Sequence, residues 1–352
     1  RFAIVVYDDR VDVVTTSTRA SAEARRSAVE ALRGIDARGS TNLGEGWLRG
    51  CGQVADALAA EGINRCLLLT DGLANQGITD HDELVRHAGE LRTRGVTTTT
   101  FGVGNDFDEV LLQAMASAGG GHFYYIANPG AIEDLITSEV GETLDVVARD
   151  VVLELSAPEG VEVDALGLNP VRPRRGVTEI VIGDLTSEQR LTVVVRLTFP
   201  YGQLGDSTGV VVRLLDRDDV IEARSARLTW EYAGDLANDR QPRDAEVDRA
   251  VGLVFAARAR QEALTRNRAG DYAGAQRAVS GVARRIRTYA GTDQVLREVV
   301  ASLEADESTV GRMVAPQARQ AAYASAAYQL QSRSPEGKAR KKPTSGRGVT
   351  PG

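Results

Sequence analysis

Cys66-Leu67-Leu68-Leu69-Thr70-Asp71-Gly72 is the stretch on which the fold turns. A short, wholly apolar run that ends abruptly in Thr-Asp-Gly has the length and texture of a central strand buried on both faces of a parallel sheet, opening into a polar turn at its C-terminal end. Downstream, Asp80 with Glu83 three residues later forms a capping box for a helix over Asp82–Arg94 that Gly95 stops. Val96–Val103 reads as the next strand. Asp106 with Glu109 caps a further helix through Met115 to Ala118, which Gly119–Gly121 end, and His122–Ile126 is another strand. Pro129 then opens a helix running to about Val147. Upstream, Leu43, Trp47, Cys51, Val54 and Leu58 recur at helical spacing, after a loop over Arg38–Thr41. Phe2–Tyr7 and Val11–Thr15 are β-rich around the turn Asp8-Asp9-Arg10, and Ala22–Leu32 has helical composition up to Gly34. Alternating strands and helices predict an α/β domain with a doubly wound, mostly parallel sheet over residues 1–148.

The texture changes near Arg149. Val151–Leu155, Glu179–Ile182, Leu191–Phe199, Gly209–Leu215 and Glu222–Trp230 are short β-rich segments between Gly, Pro and Asp turns, which predicts a small antiparallel β-sandwich over 149–233. Residues 243–332 are rich in Ala and Arg with helical periodicity, and Ala263–Ala278, turning at Gly270-Asp271-Tyr272, faintly resembles a tetratricopeptide helix pair. Residues 333–352, with Lys338–Lys342, are expected to form a solvated, disordered basic tail.

At 352 residues the chain is long enough for two or three domains, and 42% hydrophobic with 26% charged residues is the balance of a globular protein. A net charge of -7 argues against a general nucleic-acid binder, which needs a net basic face. No run approaches the roughly 20 apolar residues of a membrane span. Two cysteines, Cys51 and Cys66, make neither a disulfide framework nor a zinc spacing, so they read as buried thiols of a reducing, cytoplasmic setting.

Gly39-Ser40-Thr41-Asn42-Leu43 before an amphipathic helix and Leu67 to Gly72 at the end of a buried strand, in this order and spacing, resemble the von Willebrand factor A domain. The whole layout is similar to bacterial proteins described as resembling calcium-activated chloride channel subunits, with no channel implied. The resemblance implies a metal-ion-dependent adhesion site, in which a divalent cation at the C-terminal edge of the sheet is held by three loops. These are an Asp-x-Ser-x-Ser motif after the first strand, a threonine before a helix, and an aspartate after the next strand. Thr41 fits the second loop and Asp71 the third. Magnesium is the expected ion, with calcium or manganese as alternatives; hydroxyls and one or two carboxylates suit such hard cations and leave a position for an acidic side chain of a protein partner. A cleft beyond the carboxyl ends of parallel strands is also where open α/β sheets bind ligands.

Asp-x-Ser-x-Ser itself is absent from these residues; the nearest candidate, Asp306-Glu307-Ser308-Thr309-Val310, lies in the helical region and ends in Val. Arg1 matches the start of what the family has as its second strand, so the first strand and first helix, about 30 residues by the size of such a unit, are expected upstream. Sequencing upstream should reveal the motif after an apolar strand, and an intact frame without it would remove the magnesium reading. In the fold, either a vacant slot beside Cys66–Thr70 is expected or a hairpin that has moved across to pair with it.

The expected function is a metal-dependent protein-binding adaptor and not an enzyme. Two other readings stay open. Asp71 could serve a magnesium-dependent phosphatase or hydrolase as nucleophile or metal ligand, although such an aspartate normally has a second carboxylate two residues on, where this chain has Leu73. Alternatively the chain acts as a metal-free interaction scaffold through its helices. Gly102-Val103-Gly104-Asn105-Asp106-Phe107 lacks the third glycine of a dinucleotide fingerprint, and His81, His87 and His122 have no ligand spacing.

Overall fold

The computed structural model describes residues 1–36, 39–222 and 225–342. Arg38 of the loop expected at 38–41, residues 223–224 of the stretch expected at 222–230, and 343–352 of the expected tail lie outside them. The chain divides into two compact units: Arg1–Ile136 with Ala315–Ala324, and Thr137–Val314 with the chain from Ser325 onward.

The first unit opens with the hairpin β1 (Phe2–Tyr7) and β2 (Val11–Thr18), which form an antiparallel sheet of their own. Helices α1 (Ala22–Arg33) and α2 (Leu43–Ala55) follow, capped by Ser21 and Asn42. Strands β3 (Arg65–Thr70), β4 (Thr97–Val103) and β5 (Gly120–Ile126) make a parallel sheet in that order, with α3 (His81–Thr93) and α4 (Glu109–Gly119) as crossovers. A 3-10 turn at Pro129–Ala131 leads into α5 (Ile132–Leu144). This is the expected α/β architecture with two local corrections. Asp80 caps α3 by accepting from the Glu83 amide as its spacing predicts, but α4 is capped by Asp108, not Asp106. The strand expected at the centre, β3, stands at one end of its sheet, and β4 is central.

Strand β4 carries four threonines in a row, Thr97–Thr100, of which Thr98, Thr99 and Thr100 are fully buried. Their β-branched side chains suit a strand, and burial is tolerated because each hydroxyl is satisfied. Thr98 accepts from the Trp47 indole, Thr100 donates to the Leu112 carbonyl, and Thr99 accepts from the His122 amide. The sheet's apolar face stacks Phe101 on Tyr124 at 5.0 Å and packs Ile132, Leu135 and Ile136 of α5 on them. On α4, Glu109 pairs with Arg319, and Gln113 accepts from the Tyr323 hydroxyl.

The expectation of a slot or a transferred hairpin has a specific outcome. Strand β1 makes no ladder with β3 among the described residues; instead the Tyr7 hydroxyl donates to the Leu69 carbonyl at 2.6 Å. Burial, above all, pushes the Tyr7 phenol up, with smaller contributions from Cys66 and Asp71, so it stays a donor. Room for the ring comes from Gly46 of α2, where a Cβ would lie 2.4 Å from it.

The second unit contains a sandwich and three helices longer than two turns, with the last part of a fourth. Strands β6 (Val146–Ser156), β7 (Glu162–Ala165), β8 (Val171–Arg174), β9 (Val177–Thr186), β10 (Val195–Thr198), β11 (Ser207–Leu215) and β12 (Ser225–Glu231) form a five-stranded sheet ordered β12-β11-β6-β9-β8 and a pair β10-β7. Leu155, Ile180 and Val210 of the larger sheet pack against Val163, Ala165, Val195 and Leu197 of the smaller. After a short α6 (Asp235–Asp239) come α7 (Ala245–Arg268), α8 (Tyr272–Ala290), α9 (Gln294–Val310) and α10 (Pro316–Leu330). Asp244, Asp271 and Asp293 cap the first three of these long helices. At the end of α7 the buried Asn267 donates to the Val310 and Arg312 carbonyls and accepts from the Val314 amide, which fixes the loop after α9.

Residues 333–342, expected in a solvated tail, are instead held in place. Arg333, 2% exposed, pairs with Glu142, the Arg190 amide donates to the Arg340 carbonyl, and Lys341 pairs with Asp145. Charge composition suggested solvation; Glu142 on α5 and Asp145 just after it supply the partners it could not show.

Gly46→Ala should destabilise the chain by about 1–3 kcal/mol through the clash with Tyr7, read as a lowered denaturation midpoint. In a Tyr7→Ala background the same substitution should stabilise, by the ordinary helical preference for alanine of up to ~1 kcal/mol. Destabilisation of equal size in both backgrounds would contradict the packing described.

Candidate metal centre

Three polar turns meet at the C-terminal ends of the strands. The turn between β1 and β2 offers its Asp8 carbonyl to the Asn42 amide at 2.7 Å. The loop before α2 and the loop after β3 lock to each other twice: the Thr41 amide donates to Asn75 Oδ1 at 2.8 Å, and the Asn75 amide donates to the Thr41 carbonyl at 3.3 Å. Ser40 Oγ donates to Gln76 Oε1, whose amide group donates to the Asp9 carbonyl at 3.4 Å. Asn42 caps α2 through the Glu45 amide and donates to the Glu45 carboxylate at 2.7 Å.

This lock sets the Thr41 side chain beside the turn after β3, whose first residue is Asp71. Thr41 Oγ1 lies beside the Asp71-Gly72 turn, so close that a Cβ on Gly72 would sit 3.0 Å from it. Thr70 Oγ1 in turn accepts from the Gly72 amide at 3.3 Å, which tightens the end of β3. Asp71 is exposed and Thr41 half-buried. The Thr41 hydroxyl and the carboxylate of the exposed Asp71 are oxygen donors of the kind that hard cations such as magnesium take. A groove of about 490 Å³ runs alongside, lined by Asn42, Glu45, Leu48, Arg49, Gly77 and Ile78.

Other singled-out residues serve elsewhere. Asp306 sits in α9 and pairs with Arg260 at 2.7 Å, away from any loop of this kind. Gly102 makes room for the Phe107 ring and Gly104 adopts φ +74°, so both answer packing and turn demands. His81 lies 3.8 Å from Asp108, and His87 lies between Glu83 and Glu90 on the exposed side of α3. Cys51 and Cys66 are buried free thiols, and the hydrogen bond with Cys51, together with burial, pushes the Cys66 thiol well up. Asn75 and Gln76, which hold the site together, carry no sequence signal beyond being polar residues after a strand.

With this geometry in place, the family model described as the von Willebrand factor type A domain matches residues 1–138. Residues 1–138 are a von Willebrand factor type A domain. Two curated bacterial relatives are similar. The uncharacterized protein YfbK of Escherichia coli is 36% identical over 150 residues, covering 42% of this chain and 26% of that protein. The uncharacterized protein sll0103 of Synechocystis is 25% identical over 292 residues, covering 78% of this chain and 67% of that protein. The chain thus spans about a quarter of YfbK. A solved von Willebrand factor type A protein from Catenulispora acidiphila shares the fold at a TM-score of 0.65 and 22% identity, over 84% of this chain and 72% of that one. That likeness of fold reaches well past the A domain into the sandwich and helices.

Asn75→Ala should release the loop before α2. The Thr41 amide, protected by Asn75, should exchange with solvent deuterium roughly fivefold faster, the equivalent of a net hydrogen bond of about 1 kcal/mol. Unchanged exchange at Thr41 would mean that the clamp does not hold the loop.

Proposed function

We propose that the von Willebrand factor A domain of this chain is a metal-dependent protein-binding module, with a divalent cation, magnesium by preference, held by Thr41 and Asp71 at the C-terminal edge of the sheet. The observation that carries this reading is the approach of the Thr41 hydroxyl to the Asp71-Gly72 turn, with glycine keeping the space between the loops open. When bound, the cation supplies a Lewis-acidic position for a carboxylate of the partner protein. The chain's own residues prepare that position. Asn75 orients Thr41 through its backbone amide, and Asn42 starts α2 directly after it, so that the hydroxyl is presented from a helix N-terminus and not from a wandering loop. Asp71 contributes the negative charge. Leu73, 47% exposed beside it, offers apolar contact area to a partner.

Protein interaction is the usual work of this domain class, and the sandwich and helices add further surface. A partner's acidic side chain would reach the site from the side of the groove lined by Glu45 and Arg49, whose charges then discriminate among flanking residues. No helix among the described residues is long and apolar enough to cross a membrane.

In the full-length protein, Asp71→Ala should abolish magnesium-dependent partner capture while the circular dichroism spectrum and melting midpoint stay near wild type, because the side chain is exposed. Pull-downs with magnesium and with EDTA measure this. Equal capture in both would favour a metal-free scaffold instead.

A further inference from the structure

The five-stranded sheet of the second unit ends in two very different edges. Strand β8 is short, Val171-Arg172-Pro173-Arg174, and its proline and two arginines are the usual devices that keep an edge from pairing with another chain. Strand β12, Ser225-Ala226-Arg227-Leu228-Thr229-Trp230-Glu231, is longer, lacks proline and carries a single arginine, Arg227. It carries neither proline nor lysine, pairs with β11 over its full length without a bulge, and is exposed at every residue but Trp230. An exposed edge of this length, without proline or bulge, is a template for another strand.

Its side chains also specify which strand. Successive residues alternate between faces, so Arg227, Thr229 and Glu231 lie on one face. Ala226, Leu228 and Trp230 lie on the other, with Leu228 opposite Val210 and Ala226 opposite Val212 of β11. When two copies of β12 are laid antiparallel with Thr229 opposite Thr229, Arg227 of each copy stands opposite Glu231 of the other. On the second face Leu228 of each stands opposite Trp230 of the other. Opposite charges and aromatic-aliphatic pairs are the favourable cross-strand combinations. Symmetric registers centred on Arg227 or on Glu231 place like charges face to face, and those centred on Leu228 or Trp230 leave the charges unpaired, so only the Thr229 register pairs opposite charges. Leu228, 48% exposed in the isolated chain, gains cover in that arrangement. Tyr201 and Leu204, both largely exposed, sit on the loop whose Gly205 amide bonds the Tyr232 carbonyl, and they extend the apolar border at the end of the strand.

We propose that β12 is a homodimerisation edge: two copies of this chain join antiparallel about Thr229, and their five-stranded sheets become one continuous sheet. A twofold self-complementary contact of this kind closes on itself and leaves no further β12 edge open.

Sedimentation equilibrium of the 352-residue chain tests this with Arg227→Glu and Glu231→Arg, each alone, mixed in equal amounts, and combined in one chain. Both positions are exposed, and circular dichroism should confirm an unchanged fold. Wild type should show a monomer-dimer equilibrium, and each single variant should weaken it by about tenfold or more, since two attractive pairs become repulsive. The mixture of the two single variants and the doubly substituted chain both restore opposite charges across each pair and should regain wild-type association. A chain that is monomeric at every concentration, a dimer indifferent to both single variants, or a mixture no tighter than its components would overturn the proposal.

Discussion

The Thr41–Asn75 lock is the constraint on which the site depends. Backbone amide to side chain in one direction and backbone amide to carbonyl in the other, it joins two loops that are 34 residues apart in sequence. Each loop is anchored by a different element, the first by the start of α2 and the second by the end of β3. Position and orientation of the Thr41 hydroxyl therefore follow from the sheet and helix behind it. The Asn42 amide bond to the Asp8 carbonyl ties the hairpin turn into the same arrangement, and the Tyr7 hydroxyl bond to the Leu69 carbonyl ties the hairpin's last β1 residue to β3. Side-chain and loop contacts thus do between β1 and β3 what a strand ladder does between β3 and β4.

The buried threonines of β4 show the same economy. A strand of β-branched residues packs well on both faces of a parallel sheet, but hydroxyls taken out of water each need a partner. Trp47 of α2, the Leu112 carbonyl of α4 and the His122 amide of β5 supply them, so the polar atoms of the central strand register α2 and α4 on one of its faces. Packing alone tolerates small slides of a helix over a sheet; a hydrogen bond at a defined height on the strand does not.

What could be read in the sequence was what local chemistry decides. The capping box Asp80-Glu83, the spacing Leu43-Trp47-Cys51 and the abrupt end of β3 in Thr-Asp-Gly each place an element or a turn within a few residues, and the loops that carry Thr41 and Asp71 follow from them at one end of the sheet. Pairing over long separations was not legible. That β3 stands at the end of its sheet depends on which strand lies next to it, not on its own apolar run. Asp108 displaces Asp106 as the α4 cap although both are aspartates within reach, because the helix begins at Glu109 and only Asp108 directly precedes it. Strands β7 and β8 are four residues each, too short for an alternating pattern to register. Residues 333–342 looked solvated because Arg and Lys usually are, and their acidic partners Glu142 and Asp145 lie almost two hundred positions earlier.

The central claim, that Thr41 and Asp71 form one cation site, is tested most directly by paramagnetic broadening in the full-length protein. Manganese titrated into the isotope-labelled protein shortens the relaxation of amides near the ion, and excess magnesium should reverse it by competition for the same hard-oxygen site. The account predicts that the amides of Thr41, Asn42 and Gly72 broaden first, well below one equivalent, and recover when magnesium is added. Broadening that begins at scattered acidic surface positions, with these three amides unaffected, would contradict it.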